Sequence, residues 1–493
     1  MDLPRILFAA GASGSGKTLI TCGFLQIMKN RGKSVISFKC GPDYIDPMFH
    51  SQVIGTKSRN LDAFLTKEEG TKKLLEKNGY GYEIAVLEGV MGYYDGLGGV
   101  STIASTYDVA RVTDTSVVLI VNCKGMSNSV IAYIQGFLNY REDSRIQGVI
   151  LNQMSPMLYR RMKEQIENEL PVKVYGYVPM LTDCVLESRH LGLILPEEIR
   201  GLQEKVQCLA MVMEESLDID GLITLAEKYT YEKPGKYVCE ETECTGEHLK
   251  CICGHAKSTQ DEVECIYEEA ESTCEQAECV LENGRSSCRI ALARDEAFCF
   301  IYEDNLELLR ELGAEIIEFS PIHDRKLPNQ ISGLLLYGGY PELYASELSR
   351  NISMRNSIKE AVDRKVPCIA ECGGFMYLQD SLEDMDGNRY EMTGAIPGYA
   401  FRTEKLSRFG YITLEGGCVF GKEVGEISAH EFHYFDSVNN GEDFTAKKPV
   451  GARSWKCIHS TETLLAGFPH IHFYANRGVA EAFITQCKRT YIV

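Results

Sequence analysis

The segment Gly11-Ala-Ser-Gly-Ser-Gly16-Lys17-Thr18 limits what this chain can fold into more than any other. It matches G-x-x-x-x-G-K-[ST]. It also follows the apolar run Arg5 to Ala10 and precedes the helical spacing of Thr18 to Lys29, the strand–loop–helix context such a loop requires. The glycines let successive backbone N–H groups turn inward around a phosphate, Lys17 reaches the β and γ oxygens, and Thr18 holds Mg²⁺. The expectation is ATP or GTP bound through Gly11, Ser13, Gly14, Ser15, Gly16, Lys17 and Thr18.

Further buried-strand runs at Ser34 to Phe38, Tyr82 to Leu87, Ser116 to Asn122, Gln147 to Asn152 and Val172 to Tyr177 alternate with amphipathic stretches at Ser127 to Asn139 and Tyr159 to Glu169. This pattern predicts a parallel sheet with helices on both faces. Between Gly235 and Ser287 the texture changes. Thirteen acidic residues face four basic ones, Leu and Ile together number four, and nearly half of the chain's formal charge of −19 sits there. Such a composition buries too little apolar surface to offset chain entropy and reads as a flexible acidic linker. Cys244, His248, Cys251, Cys253 and His255 in it are soft ligands, but their spacing is irregular and no Cys-x-x-Cys knuckle is present, which favours the linker over a metal site. Strand-like runs resume at Arg289 to Ala293, Glu315 to Phe319, Gly333 to Leu336 and Cys368 to Glu371, with helical segments at Asn305 to Leu312 and Ser353 to Arg364. The expected organisation is an α/β chain: a P-loop NTPase-type domain over 1–232, a linker over 233–287 and a second α/β domain over 288–493.

An acidic chain without a polybasic stretch is a poor match for nucleic acid or an anionic membrane surface. Runs such as Val117 to Val121 are far short of the roughly 18 to 20 apolar residues that span a bilayer. The N-terminus lacks the charged region and longer apolar stretch of a signal peptide, so the expected location is the cytoplasm.

The remaining candidates lie at strand ends. Glu88 closes a strand, where doubly wound folds bind ligands, and reads as a Mg²⁺ ligand or water-positioning group, with Asp95 in reach of the same region. Lys39-Cys-Gly-Pro-Asp43-Tyr44-Ile-Asp46-Pro47 follows another strand, and Asp43, Tyr44 and Asp46 read as substrate or metal contacts; an ordinary Pro-Asp turn is the competing reading. In the second domain Cys372 sits between an apolar strand and a helical run, resembling a nucleophile elbow, with its thiol expected to be exposed and acidified by the helix terminus. Gly338 and Gly339 end a neighbouring strand and offer unhindered N–H groups as an oxyanion hole. His430, His433, His470 and His472 are the candidate bases, at least two of them expected to be structural.

Lys39 to Pro47, Glu88 to Gly96, Asn60-Leu61-Asp62, Arg189 to Leu193, Asp295 to Leu308, Gly338 to Ser349 and Ala370 to Leu378 (AECGGFMYL) together resemble the cobyrinate a,c-diamide synthases, a cobalamin-biosynthesis branch of the glutamine amidotransferases. The resemblance implies a dethiobiotin-synthetase-like ATP domain joined to a class I glutaminase domain, with Cys372 as nucleophile. It selects His470 as base, because Phe468-Pro-His470-Ile-His472-Phe473 matches the family's histidine stretch. Class I enzymes carry Glu two residues after this His; here His472 stands there, which leaves a Cys372–His470 dyad or a third residue from elsewhere. The implied reaction is ATP- and Mg²⁺-dependent amidation of two acetate carboxylates of cobyrinate with ammonia from L-glutamine. Hydrogenobyrinate and nickel-sirohydrochlorin would need nearly the same residues, and a MinD-type regulatory ATPase with an inactive tail is the reading from a different class. The partners are small molecules, and a homo-oligomer is compatible with them.

Overall fold

The computed structural model describes residues 3–181, 196–228, 288–406 and 408–490. The acidic segment 233–287 and the Arg189 to Leu193 stretch lie outside the described residues.

Seven parallel strands form the first sheet: β1 (Arg5–Ala10), β2 (Val35–Cys40), β3 (Ser58–Leu61), β4 (Ile84–Glu88), β5 (Ser116–Asn122), β6 (Ile146–Asn152) and β7 (Lys173–Val178), in the order β3-β2-β4-β1-β5-β6-β7. β1 is apolar after its first residue because both faces are covered. Leu7 and Ala9 pack into one helix-covered layer, while Ile6, Phe8 and Ala10 pack into the other. Helix α1 (Lys17–Asn30) starts directly from the glycine loop, with Gly16 at φ +96°, a conformation that disfavours any side chain there. β3, missed by the sequence reading, pairs with β2, and its residues Ser-Arg-Asn-Leu carry too little apolar signal to be seen locally.

The second part of the chain opens with β8 (Cys288–Ala293), β9 (Ala314–Phe319), β10 (Gly333–Leu336) and β11 (Cys368–Glu371). They join Leu464–Gly467 and an antiparallel edge, His459–Ser460, in a six-stranded sheet. Residues 379–471 also build three sheets that the sequence reading did not foresee: one of four strands in which Gln379–Glu383 runs parallel to Ile396–Arg402, a two-stranded ribbon, and one of five antiparallel strands. One pairs Arg408–Glu415 with Ile427–His433, which in turn pairs with His470–Ile471.

This five-stranded sheet turns one face to its own core through Ile412, Leu414, Ile427 and Ala429. Its other face meets the first domain: Tyr411 Oη donates to Asp62 Oδ2 at 2.7 Å and Lys67 Nζ to Ser428 Oγ at 3.2 Å. A second seam joins Arg59 to Glu307, with Arg59 Nε 3.7 Å from Asp304 and Asn78 Nδ2 donating to Asp304 at 2.8 Å. These contacts join β3, the loop after it and the following helix to the second part of the chain. No helix among the described residues is long and apolar enough to cross a membrane.

Candidate active site

The first cluster lies at the carboxyl edge of β1, β2 and β4. Lys39 and Glu88 are register partners on β2 and β4. Thr18, the second residue of α1, donates through Oγ1 to Glu88 Oε1 at 2.5 Å and lies 3.4 Å from Asp46 Oδ2. Lys39 Nζ is ion-paired to Asp46 and, at 2.9 Å, to Glu88. The other Glu88 oxygen is 3.1 Å from His50 Nε2, while His50 Nδ1 is 3.1 Å from Ser37 Oγ. Burial opposes ionisation of Glu88, but Lys39 and His50 outweigh it and hold the carboxyl well below the usual range. Asp46 goes the other way, pushed up first by burial and then by the Glu88 charge. A buried ion cluster of this kind is weak evidence for stability, since desolvation consumes most of its Coulombic gain, and stronger evidence for a working site.

Lys17 Nζ donates to Met91 O at 2.6 Å and Ala12 O at 3.1 Å. Burial lowers it to about 8, with Lys39 adding to the shift. Asp95 faces the same loop, accepting from Gly92 N at 3.0 Å. Asp43 accepts from Ile45 N at 2.8 Å and Asp46 N at 3.2 Å, so it caps its own turn, as an ordinary Pro-Asp turn would. Of the three candidates in this loop, Asp46 joins the Thr18–Glu88 cluster directly, Asp43 reaches it with its carboxylate 3.9 Å from Lys39 Nζ, and Tyr44 does not join it. Thr18, Asp46 and Glu88 converge as oxygen donors, the set that suits Mg²⁺.

The second cluster surrounds Cys372. The residue sits between β11 and the short helix Gly373–Leu378 at φ 47° and ψ −105°, a strained geometry for a side chain of this kind. Contrary to the exposed, acidified thiol expected at an elbow, Cys372 is only 5% exposed and burial pushes its pKa well up. Water is kept out here, and a neighbouring base is needed to take the thiol proton.

His470 and Cys372 share the Gly338 backbone as a neighbour. A Cβ on Gly338 would fall 2.6 Å from His470 Cε1 and 3.5 Å from Cys372 Cβ, so only glycine leaves room between them. Gly339 N is 3.1 Å from the corresponding point on Gly373, which keeps the Gly338–Gly339 backbone against the elbow. His470 Nδ1 is 3.5 Å from Glu371 Oε2, and Glu371 Oε1 accepts from Ile471 N at 3.3 Å. Burial lowers His470 to about 3 and raises Glu371 well above the carboxylate range.

The other three histidines are buried as well. His430 lies against His470 with ring centroids 5.0 Å apart. His433 contacts Phe435 O at 2.5 Å and stacks on Phe468, while His472 Nδ1 accepts from Tyr474 N at 3.3 Å. Tyr44, expected at the substrate, instead places its ring 5.1 Å from Phe300, 4.7 Å from Tyr302 and 5.4 Å from His470.

Sequence reasoning singled out neither Lys39, His50 nor Glu371 for a role. Lys39 and Glu371 did leave a signal: each is a charged side chain within or closing an otherwise apolar, fully buried strand, where an unpaired charge is rare.

Two known families match the chain, one on each part. Residues 6–193 match the CobQ/CobB/MinD/ParA nucleotide binding domain, and residues 289–478 match the CobB/CobQ-like glutamine amidotransferase domain. The chain is 35% identical over 490 residues to a cobyrinate a,c-diamide synthase of Caldanaerobacter subterraneus subsp. tengcongensis, covering 98% of both chains. It belongs to the cobyrinate a,c-diamide synthase family. A cobyrinate a,c-diamide synthase of Listeria innocua is 35% identical, covering 98% of this chain and all of that one. One of Clostridium tetani is 37% identical, covering 96% and 98%. As a member of this family the chain is a glutamine-dependent amidotransferase of the ligase class with a P-loop nucleotide-binding half.

Proposed function

We propose that the chain converts cobyrinate to cobyrinate a,c-diamide with ATP and L-glutamine. Residues 1–232 act as the synthetase and 288–493 as the glutaminase. The observation that carries the reading is the pairing within one chain of an oxygen-donor cluster on a P-loop with a buried Cys–His–Glu constellation behind a glycine oxyanion loop.

In the synthetase half, Gly11 to Thr18 hold the triphosphate, and Lys17 exchanges its backbone carbonyl partners for phosphate oxygens. Thr18, Asp46 and Glu88 would hold Mg²⁺, which neutralises charge on the transferring phosphoryl group. ATP phosphorylates an acetate carboxylate of the corrinoid, converting a poor electrophile to a mixed anhydride. Asp43 and Asp95 stand in the loops that flank this site, whereas the Tyr44 ring lies in the glutaminase half.

In the glutaminase half, His470 takes the Cys372 proton as the sulfur attacks the side-chain amide of glutamine, and the N–H groups around Gly338 and Gly339 hold the developing oxyanion. Glu371 fixes the imidazole through Nδ1, taking the place of the glutamate that class I enzymes carry two residues after the histidine. Ammonia leaves, water clears the thioester, and ammonia displaces phosphate from the activated carboxylate. Because the ammonium ion has no lone pair, ammonia must pass between the sites unprotonated.

The test is Cys372→Ala. Glutamine-dependent amidation should vanish, while amidation with added ammonium at alkaline pH continues. Loss of both would overturn the division of labour. Weighing the products from cobyrinate, hydrogenobyrinate and nickel-sirohydrochlorin offered separately identifies the macrocycle.

A further inference from the structure

The loop between β2 and the short helix α2 (Ile45–Phe49) has one side in each cluster. Asp46 belongs to the Thr18–Lys39–Glu88 group. Two residues before it, the Tyr44 ring is packed into the glutaminase half, nearly parallel to Phe300 at 9°. The loop between them is stiff: Asn60 Nδ2 donates to Gly41 O at 3.0 Å and to Asp43 O at 2.7 Å, and the Asp43 carboxylate bonds the amides of Ile45 and Asp46. A displacement at Asp46 is therefore carried to Tyr44 instead of being absorbed.

The contacts of Tyr44 flank the reacting thiol. Phe300 N donates to Gly338 O at 2.9 Å, which ties the ring's stacking partner to the oxyanion loop. His470, 5.4 Å from the Tyr44 ring, is the base. On the other side, Lys39 Nζ binds Asp46 Oδ2 and Glu88 Oε1, the oxygens that face Thr18. A cation held by Thr18, Asp46 and Glu88 would compete with the Lys39 ammonium for these oxygens and would thereby shift Asp46 and α2.

The geometry points to Tyr44 as a positioning residue through which the nucleotide site sets the glutaminase site, holding His470 and the Phe300–Gly338 bridge in working order when Mg-ATP occupies the cluster at Asp46. This rests on the amidotransferase reading above and adds a coupling between its two halves.

The experiment measures glutamate released from glutamine by the full-length chain, with and without Mg-ATP and cobyrinate. In the wild type these additions should raise kcat at least about five-fold, within the usual range of coupling between sites. Tyr44→Phe should keep that stimulation, because the ring remains. Tyr44→Leu should reduce it to about one-fold, with the loss in kcat more than in KM for glutamine. If Tyr44→Leu does not fold, Asp46→Asn, at the other end of the loop, should lose the stimulation in its place. A leucine variant stimulated as strongly as the wild type, an asparagine variant that keeps full stimulation, or a wild type indifferent to Mg-ATP each overturns the coupling. The amidotransferase reading fails separately, if Cys372→Ala releases glutamate as fast as the wild type.

Discussion

His470 Nδ1 lies 3.5 Å from Glu371 Oε2, and Glu371 immediately precedes Cys372. One strand end thus carries both the proposed nucleophile and a carboxylate beside its proposed base, and the histidine comes to them from a strand about a hundred residues further on. Glu371→Gln keeps the shape but reverses the hydrogen-bonding preference at Nδ1. Glutaminase kcat should fall by about 10²-fold or more, in line with the loss of a residue that orients a catalytic imidazole, with ammonia-dependent amidation retained. Steady-state assays with each nitrogen source check this.

Glu88→Gln should act on the opposite half. It removes one charge from a cluster in which Lys39, His50 and Thr18 all converge on that carboxylate. Both nitrogen sources should lose amidation by at least about 10²-fold, together with ADP formation, the scale expected when a group stabilising transition-state charge is lost. A variant defective with glutamine but not with ammonia would contradict the placement of Glu88 in the synthetase site.

Arg59→Ala tests the junction itself. Arg59 is mostly buried between Glu307 and the nearly inaccessible Asp304, which burial pushes up to about 6. Removing the guanidinium leaves a buried carboxylate without its compensating charge, at a cost of about 3 kcal/mol. Urea unfolding near neutral pH should show a lower midpoint. The deficit should shrink toward about pH 5, as Asp304 takes up a proton.

Asp62 gives a pH dependence with a defined sign. Burial pushes its carboxyl up to about 6, against the backbone amides of Leu65 and Phe64 and the Tyr411 hydroxyl that favour the charged form. The folded chain binds this proton more tightly than the unfolded chain does. The stabilisation is therefore complete below about pH 4 and lost as pH rises through about 6, a total of about 3 kcal/mol. Asp62→Asn should flatten the stability curve over that window, as measured by unfolding midpoints of both proteins; parallel curves would contradict it.

How much of this was legible in the sequence depended on whether the signal was local. β1 and β4 are buried on both faces, so each reads as a continuous apolar run, and the P-loop announces itself between β1 and α1. Cys372 is readable from its place between strand and helix. The additional sheets of 379–471 were not, because Arg408–Glu415 mixes exposed, half-buried and buried residues and strands such as Lys422–Glu423 are only two residues long. Glu371 and His50 owe their meaning to partners far away in sequence, His470 and Glu88, which only the fold brings near. Tyr44 carries the same lesson: its loop belongs to the nucleotide half, and its ring lies in the glutaminase half.

Amide-¹⁵N glutamine supplied with Mg-ATP and cobyrinate, in a solution holding excess unlabelled ammonium below the ammonium pKa, tests the joined half-sites most directly. Mass spectrometry of the product should show ¹⁵N in both new amides, with one ATP consumed for each. Amides carrying solvent nitrogen, or a product formed without ATP cleavage, would contradict the transfer of glutamine-derived ammonia from Cys372 to a phosphorylated carboxylate.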